Sequence, residues 1–178
     1  MARLPIDGYG QLELNNVAFR RDGRVEAQLP LDSTDFASIP AENGMLLEVD
    51  RVGKTIKLPS ATSKLVALHY SSEHMYDERD TGLKNFKLEV GEFLPRLGYL
   101  AVGDKFTSNC IDWTGTEATL ITALGTLAAT PLYGGISEAT GAILVSDTEP
   151  ATGPVLLVLG KATMPDGQLA IKFQVVEA

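Results

Sequence analysis

The segment from Pro154 to Ala178, PVLLVLGKATMPDGQLAIKFQVVEA, restricts the fold of this chain more than any other stretch. Leu169, Ile171, Phe173 and Val175 are spaced two residues apart, so all four side chains leave one face of a strand. Pro165-Asp166-Gly167 ahead of them reads as a turn, because proline presets φ and glycine supplies the positive φ of tight hairpins. Val155 to Leu159 is apolar without a break, the pattern of a strand covered on both faces. A two-stranded hairpin is barely stable by itself, so further strands must pack with it.

The same texture occurs near the start, in QLELNNVAFRRDGRVEAQL. Leu12 and Leu14 alternate with polar residues, Val17 and Phe19 continue in shifted phase, and Val25, Ala27 and Leu29 alternate after Asp22-Gly23. This predicts a second hairpin turning at Asp22-Gly23, with a bulge near Asn15-Asn16. Further strands are expected near Met45 to Val49, Thr55 to Leu58, Leu65 to Tyr70, Asn85 to Val90, Ala118 to Leu124 and Ala142 to Ser146. Pro40 and Gly44 limit any helix after Asp32 to a turn or two, and Pro131 stops one in TALGTLAATPLYGG, so loops or a short helix are expected in each.

The expected fold class is therefore all-β, an antiparallel β-sandwich or small β-barrel with long loops. Residues 1–10, with Pro5, Gly8 and Gly10, read as an extended N-terminal arm. Residues 11–178 read as one β domain, with room for a subdomain joint near 126–141, the longest stretch lacking a strand pattern.

Composition narrows the function. With 178 residues, 44% of them apolar, the chain can bury a core without staples. The formal net charge of −8 removes any whole-surface attraction to phosphate, so nucleic acid is not an expected partner. The one basic cluster, Arg20 to Arg24, reads as a solvated hairpin tip, or as a contact to an acidic partner surface. A single Trp leaves little for a platform that stacks sugars or bases. The start MARLPIDGYGQ has no apolar run of signal-peptide length, and no later run spans a bilayer. Neither membrane association nor export by that route is expected.

Both histidines fall in LHYSSEHMYDERD, with Glu73, Asp77, Glu78 and Asp80 around them. His69 closes a predicted strand and His74 lies in the loop after it, a spacing that no regular element aligns for joint coordination. DERDTG also lacks the alternating acidic ladder of a calcium loop. A polar, solvated or partner-facing loop is the expectation, with no metal ligands and no cofactor. Ser137 in GISEA misses the hydrolase elbow by one residue, and both histidines precede it in the chain. Gly8-Tyr9-Gly10 follows no strand, and Gly53-Lys54-Thr55 lacks the upstream glycine of a phosphate loop. Cys110 is the only cysteine, which excludes an intrachain disulfide, and it reads as a small buried apolar residue. No catalytic residue is assigned, and the chain is not expected to be an enzyme.

YSSEHMYDERDTGLKNF, LPRLGYLAVGDKFTSNCI and GPVLLVLGKATMPDGQLAIKFQVVEA occur in succession over the last two thirds of the chain. That succession resembles the small structural proteins that decorate or cement the capsids of tailed bacteriophages. The resemblance implies a virion structural protein on the capsid surface, present in the host cytoplasm before assembly. It also implies contacts with the major capsid protein and with neighbouring copies, hence an oligomer on the capsid, and no catalytic residues. A carbohydrate- or host-binding β module and an enzyme of unrecognised type are the alternatives.

Overall fold

A computed structural model of the chain describes residues 2–71 and 83–178. Strands hold 36% of the residues and helices 10%, which makes the fold all-β. The C-terminal pattern forms the long hairpin it predicts, β12 (Val155–Thr163) with β13 (Leu169–Glu177). Gly167 sits at φ 87° and donates its N–H to Met164 O at 2.8 Å, closing the turn. Val158 pairs with Phe173 but Gly160 with Lys172, so Leu159 is an extra residue. That bulge turns Leu159 outward and ends the double coverage expected for the whole apolar run.

Around this hairpin an eight-stranded sheet assembles in the order β1-β9-β11-β10-β12-β13-β8-β2. Its other strands are β1 (Ala2–Arg3), β2 (Leu12–Asn16), β8 (Lys105–Ser108), β9 (Ile111–Trp113), β10 (Tyr133–Ile136) and β11 (Ile143–Ser146). A second sheet runs β3-β7-β6-β4-β5, made of β3 (Val25–Glu26), β4 (Leu46–Asp50), β5 (Thr55–Lys57), β6 (Val66–His69) and β7 (Leu97–Gly98). Neither sheet closes, so the sandwich reading holds and the barrel alternative does not.

Two cores follow from this arrangement. Phe106, Ile111, Ile143, Leu156, Ile171 and Phe173 of the large sheet face Leu46, Leu68 and Tyr70 of the small one. On the other side of the small sheet, Leu47, Val49, Ala67 and Leu97 pack beneath Leu31, Phe36, Ala41 and Leu88 from irregular chain. The small sheet is thus buried on both faces, and β6 alternates between the cores at Ala67 and Leu68.

Four sequence expectations are corrected. Asp22-Gly23 does not turn a hairpin, because β2 pairs with β8 and β3 with β7, in different sheets. Phe19–Asp22 instead forms one helical turn, α1, ended by Gly23 at φ 68°, which presents Arg24 N–H to Phe19 O. The helix drives Phe19 fully into the core, 5.0 Å from the Tyr70 ring centroid. Ala118 to Leu124 is helical, within α2 (Glu117–Leu124), because Thr116 caps its start and Leu120 and Leu124 reach the core at i, i+4 spacing. Asn85 to Val90 forms no strand beyond a single bridge between Leu88 and Ala41. The 126–141 stretch, read as lacking a strand pattern, contains β10, an inner strand of the large sheet.

The expected bulge near Asn15-Asn16 is present, since Glu13 pairs with Thr107 and Asn16 with Lys105. Residues 2–10 are extended but lie along the domain. Ala2 and Arg3 pair with Trp113 and Asp112, Leu4 enters the core, and Tyr9 N–H reaches Lys84 O at 2.7 Å.

Candidate functional site

Among the described residues, one polar constellation centres on Glu42. Its carboxylate accepts Arg3 Nη2 and the Gly10 N–H, each at 2.5 Å, and so holds both ends of the N-terminal segment. Arg3 also lies 3.4 Å from Cys110 Sγ. Cys110 is fully buried, and burial pushes its thiol up to about 12. A thiol so disposed stays protonated at neutral pH and is a poor nucleophile.

The backbone of Glu42 carries the second half. His69 is fully buried, with Nδ1 at 2.8 Å from Glu42 O and Nε2 at 2.7 Å from Ser71 Oγ. Ser71 Oγ accepts the Arg96 N–H at 2.7 Å, leaving its own proton for His69 Nε2. The imidazole therefore donates from Nδ1 to the carbonyl, and both ring nitrogens are engaged. Burial lowers the His69 pKa to about 4 against a small opposing effect of the Glu42 hydrogen bond, so the ring is neutral at pH 7. His69 is thus a buried structural group at the end of β6, the strand end where the sequence places it. Glu73, His74, Asp77, Glu78 and Asp80 lie outside the described residues.

A third polar group closes the loop after β10. Ser137 Oγ and Thr140 Oγ1 both donate to Asp112 Oδ2, at 2.7 and 2.5 Å. Ser137 is 1% exposed and its proton points at a carboxylate, so its resemblance to a nucleophile elbow ends at the sequence. Gly53 and Lys54 form the β4–β5 turn, where Asp50 Oδ1 accepts the N–H groups of Val52 and Gly53. Arg20 and Arg21 sit on α1 at the surface, in a helical turn and not at a hairpin tip. Among the described residues no three His, Cys, Asp or Glu side chains are grouped to hold a metal ion.

Among the described residues, hollows open at these places on the surface. Two flank the N-terminal segment: one of about 320 Å³ between Leu4, Pro5, Trp113 and Leu120, another of about 300 Å³ bounded by Tyr9 and Glu42. Trp113 Nε1 is taken by Thr119 Oγ1 at 3.0 Å. The third, about 370 Å³, lies where the two sheets meet, between Leu65, Val66, Leu100 and Pro154. None of them contains His69 or Ser137.

Sequence reasoning did not single out the apolar residues displayed on turns. Val52 at the β4–β5 tip is 95% exposed, Val102 69% and Phe93 84%. Val90 and Leu94 lie beside Phe93 and are also exposed. Their signal in the sequence was an apolar residue within a tight-turn motif, VGEF and AVGD, which reads equally well as the end of a strand. No protein-family model, curated protein or solved structure matches the chain.

Proposed function

We propose that the protein is a virion structural protein that decorates or cements the capsid of a tailed bacteriophage. It binds the major capsid protein and lies beside copies of itself. The observation that carries the reading is the display of large apolar side chains, Val52, Phe93 and Val102, at turn tips of a two-sheet scaffold. Exposed apolar groups held by rigid turns cost solvation in the free protein and gain it at a protein surface. The family resemblance of the last two thirds of the chain supplies the partner. The acidic balance suits assembly around nucleic acid without binding it.

The test is co-sedimentation with undecorated heads. Full-length protein should pellet with them, and Val52→Ser or Val102→Ser should weaken binding while circular dichroism stays unchanged. Folded wild-type protein remaining in the supernatant would remove the capsid reading. Purified particles should carry the protein in many copies, whereas a few would place it in the tail or portal.

A further inference from the structure

We infer that the face gathered around Tyr99 and Leu100 is a docking surface for an acidic patch on a folded protein partner. The inference deepens the proposed function: it rests on that reading for the partner's identity, the capsid, and adds which face meets it and by what chemistry.

Short contacts assemble this face from four stretches of chain. Tyr99 N–H donates to Arg24 O at 3.0 Å, and Arg24 Nη1 reaches Leu100 O at 3.5 Å. Arg51 Nη2 donates to Tyr99 Oη at 2.9 Å, which brings the β4–β5 turn with Val52 and Lys54 alongside. Val49 N–H bonds Leu65 O at 2.8 Å, and Lys64 and Leu65 border the same hollow as Tyr99 and Leu100. Beyond Leu100, the turn from Ala101 to Asp104 presents Val102. Asp104 Oδ1 accepts the Ala18 N–H at 2.7 Å, which ties α1, with Arg20 and Arg21, to that turn.

The acids of this face are engaged within it, and the cations are left over. Asp22, Glu26 and Asp50 pair with Arg24, Arg51 and Lys57, at 3.6, 3.3 and 2.6 Å. Glu48 accepts the Ser63 hydroxyl, and Asp104 is buried under the N–H groups of Ala18 and Ala101. Arg21, Lys54 and Lys64 are exposed and have no ion pair among the described residues. Glu177, at the rim of the hollow beside Ala178, is the exposed acid set against them. A positive surplus on a chain of formal net charge −8 draws carboxylates to one place and fixes orientation.

Apolar side chains stand between these cations, namely Val52, Val102 and Leu65. Both valine tips are held in place. Asp50 Oδ1 accepts the Val52 and Gly53 N–H groups at 2.9 and 2.8 Å, and Asp104 N–H returns to Ala101 O at 3.0 Å. Little order therefore remains to be lost on docking. Nucleic acid would use the cations and leave the valines in water. Membrane anchors present aromatic and longer apolar side chains, and the acidic remainder of this chain is repelled by an anionic bilayer. A protein surface offers carboxylates and apolar sockets together.

Retention of the full-length protein on immobilised poly-L-glutamate reads this face without heads. Wild type should bind at low salt and be released as salt screens the contact. Lys54→Glu combined with Lys64→Glu should weaken binding ~10-fold or more, since like charges then meet across the contact. Lys161→Glu combined with Lys172→Glu makes the same charge change on the β12–β13 hairpin and should stay within ~2-fold of wild type. Each single substitution should show part of the loss, so either can stand in for a double variant that circular dichroism shows unfolded. The variants should rank in the same order in co-sedimentation with undecorated heads.

Equal losses in the two double variants would trace binding to net charge and overturn the inference. So would tighter binding to a short DNA duplex or to phosphatidylserine vesicles than to poly-L-glutamate. Self-association of wild type that Lys54→Glu with Lys64→Glu abolishes would make a second copy the occupant and overturn it as well. Heads that bind every variant alike would sink the inference and leave the proposed function standing. Wild type that binds poly-L-glutamate through this face and ignores heads would do the reverse.

Discussion

Arg3 Nη2 and Glu42 Oε2 meet at 2.5 Å across 39 residues of chain, and this ion pair secures the N-terminal segment to the domain. An extended, Gly- and Pro-containing start ordinarily remains mobile until something orders it. Here the ordering partner is the protein's own Glu42, together with the pocket that receives Leu4.

Removing residues 1–8 should therefore destabilise the isolated domain, contrary to what a free arm would do. Leu4→Ala is expected to cost ~2 to 4 kcal/mol, the range for a buried leucine truncation. Glu42→Gln, which keeps an acceptor for Gly10 but no charge for Arg3, is expected to cost ~1 to 3 kcal/mol. Urea denaturation of the three proteins checks this. An unchanged midpoint for the truncation would mean that the docked segment contributes nothing to stability.

Stability should fall with acid through His69. Its folded pKa is depressed to about 4 from 6.5, so the unfolded state takes up the proton first as pH drops. The contribution is complete above about pH 6.5 and is lost progressively down to about pH 4. The total is ~3 kcal/mol at one pKa unit per 1.36 kcal/mol. Comparing wild type with His69→Gln at pH 7, 6, 5 and 4 isolates this from the carboxylates. The difference between them should shrink towards acid, and a constant difference would rule the linkage out.

The features legible in the sequence are those where one local pattern serves one burial pattern. The β12–β13 hairpin is such a case, with alternation, turn chemistry and two core faces all in agreement. Asp22-Gly23 misled because a glycine at positive φ ends a helical turn as readily as it turns a hairpin. Thr119, Ile121 and Thr122 gave α2 a strand-like composition, but Thr119 and Thr122 hydroxyls bond back to Thr116 O and Ala118 O. The Glu42, His69 and Ser71 constellation was invisible, since a backbone carbonyl and residues 27 positions apart leave no motif. β10 was missed because Tyr133-Gly134-Gly135-Ile136 carries little side chain to show a period.

Those glycines are a packing requirement, which substitution can expose. A Cβ on Gly134 would stand 2.8 Å from Ile143 Cγ2 and 3.1 Å from Phe173 Cε1, both in the main core. A Cβ on Gly98 would stand 2.4 Å from the Phe19 ring. Gly134→Ala should cost ~1 to 3 kcal/mol by overpacking. Gly98→Ala should cost more, because Phe19 is fully buried and has no room to withdraw. Thermal unfolding should rank wild type above Gly134→Ala above Gly98→Ala, and the reverse order would contradict this packing account.

Ser71 and His69 have the separation of a nucleophile and its base, 2.7 Å between Oγ and Nε2, and this is the pair that invites an enzymatic reading. Three features argue for a structural role. The orienting group on Nδ1 is a neutral carbonyl, Glu42 O, in place of the carboxylate that would stabilise an imidazolium. Burial holds the His69 pKa near 4, far below that of a base effective at neutral pH. Ser71 is only 6% exposed, and its oxygen already accepts the Arg96 N–H. A fluorophosphonate probe should therefore leave Ser71 unlabelled in the folded protein, as judged by peptide mass spectrometry. Ser71→Ala should cost ~1 to 3 kcal/mol, because it leaves a backbone N–H and an imidazole nitrogen without partners. Stoichiometric labelling of Ser71, abolished by His69→Gln, would overturn this and bring the enzyme reading forward.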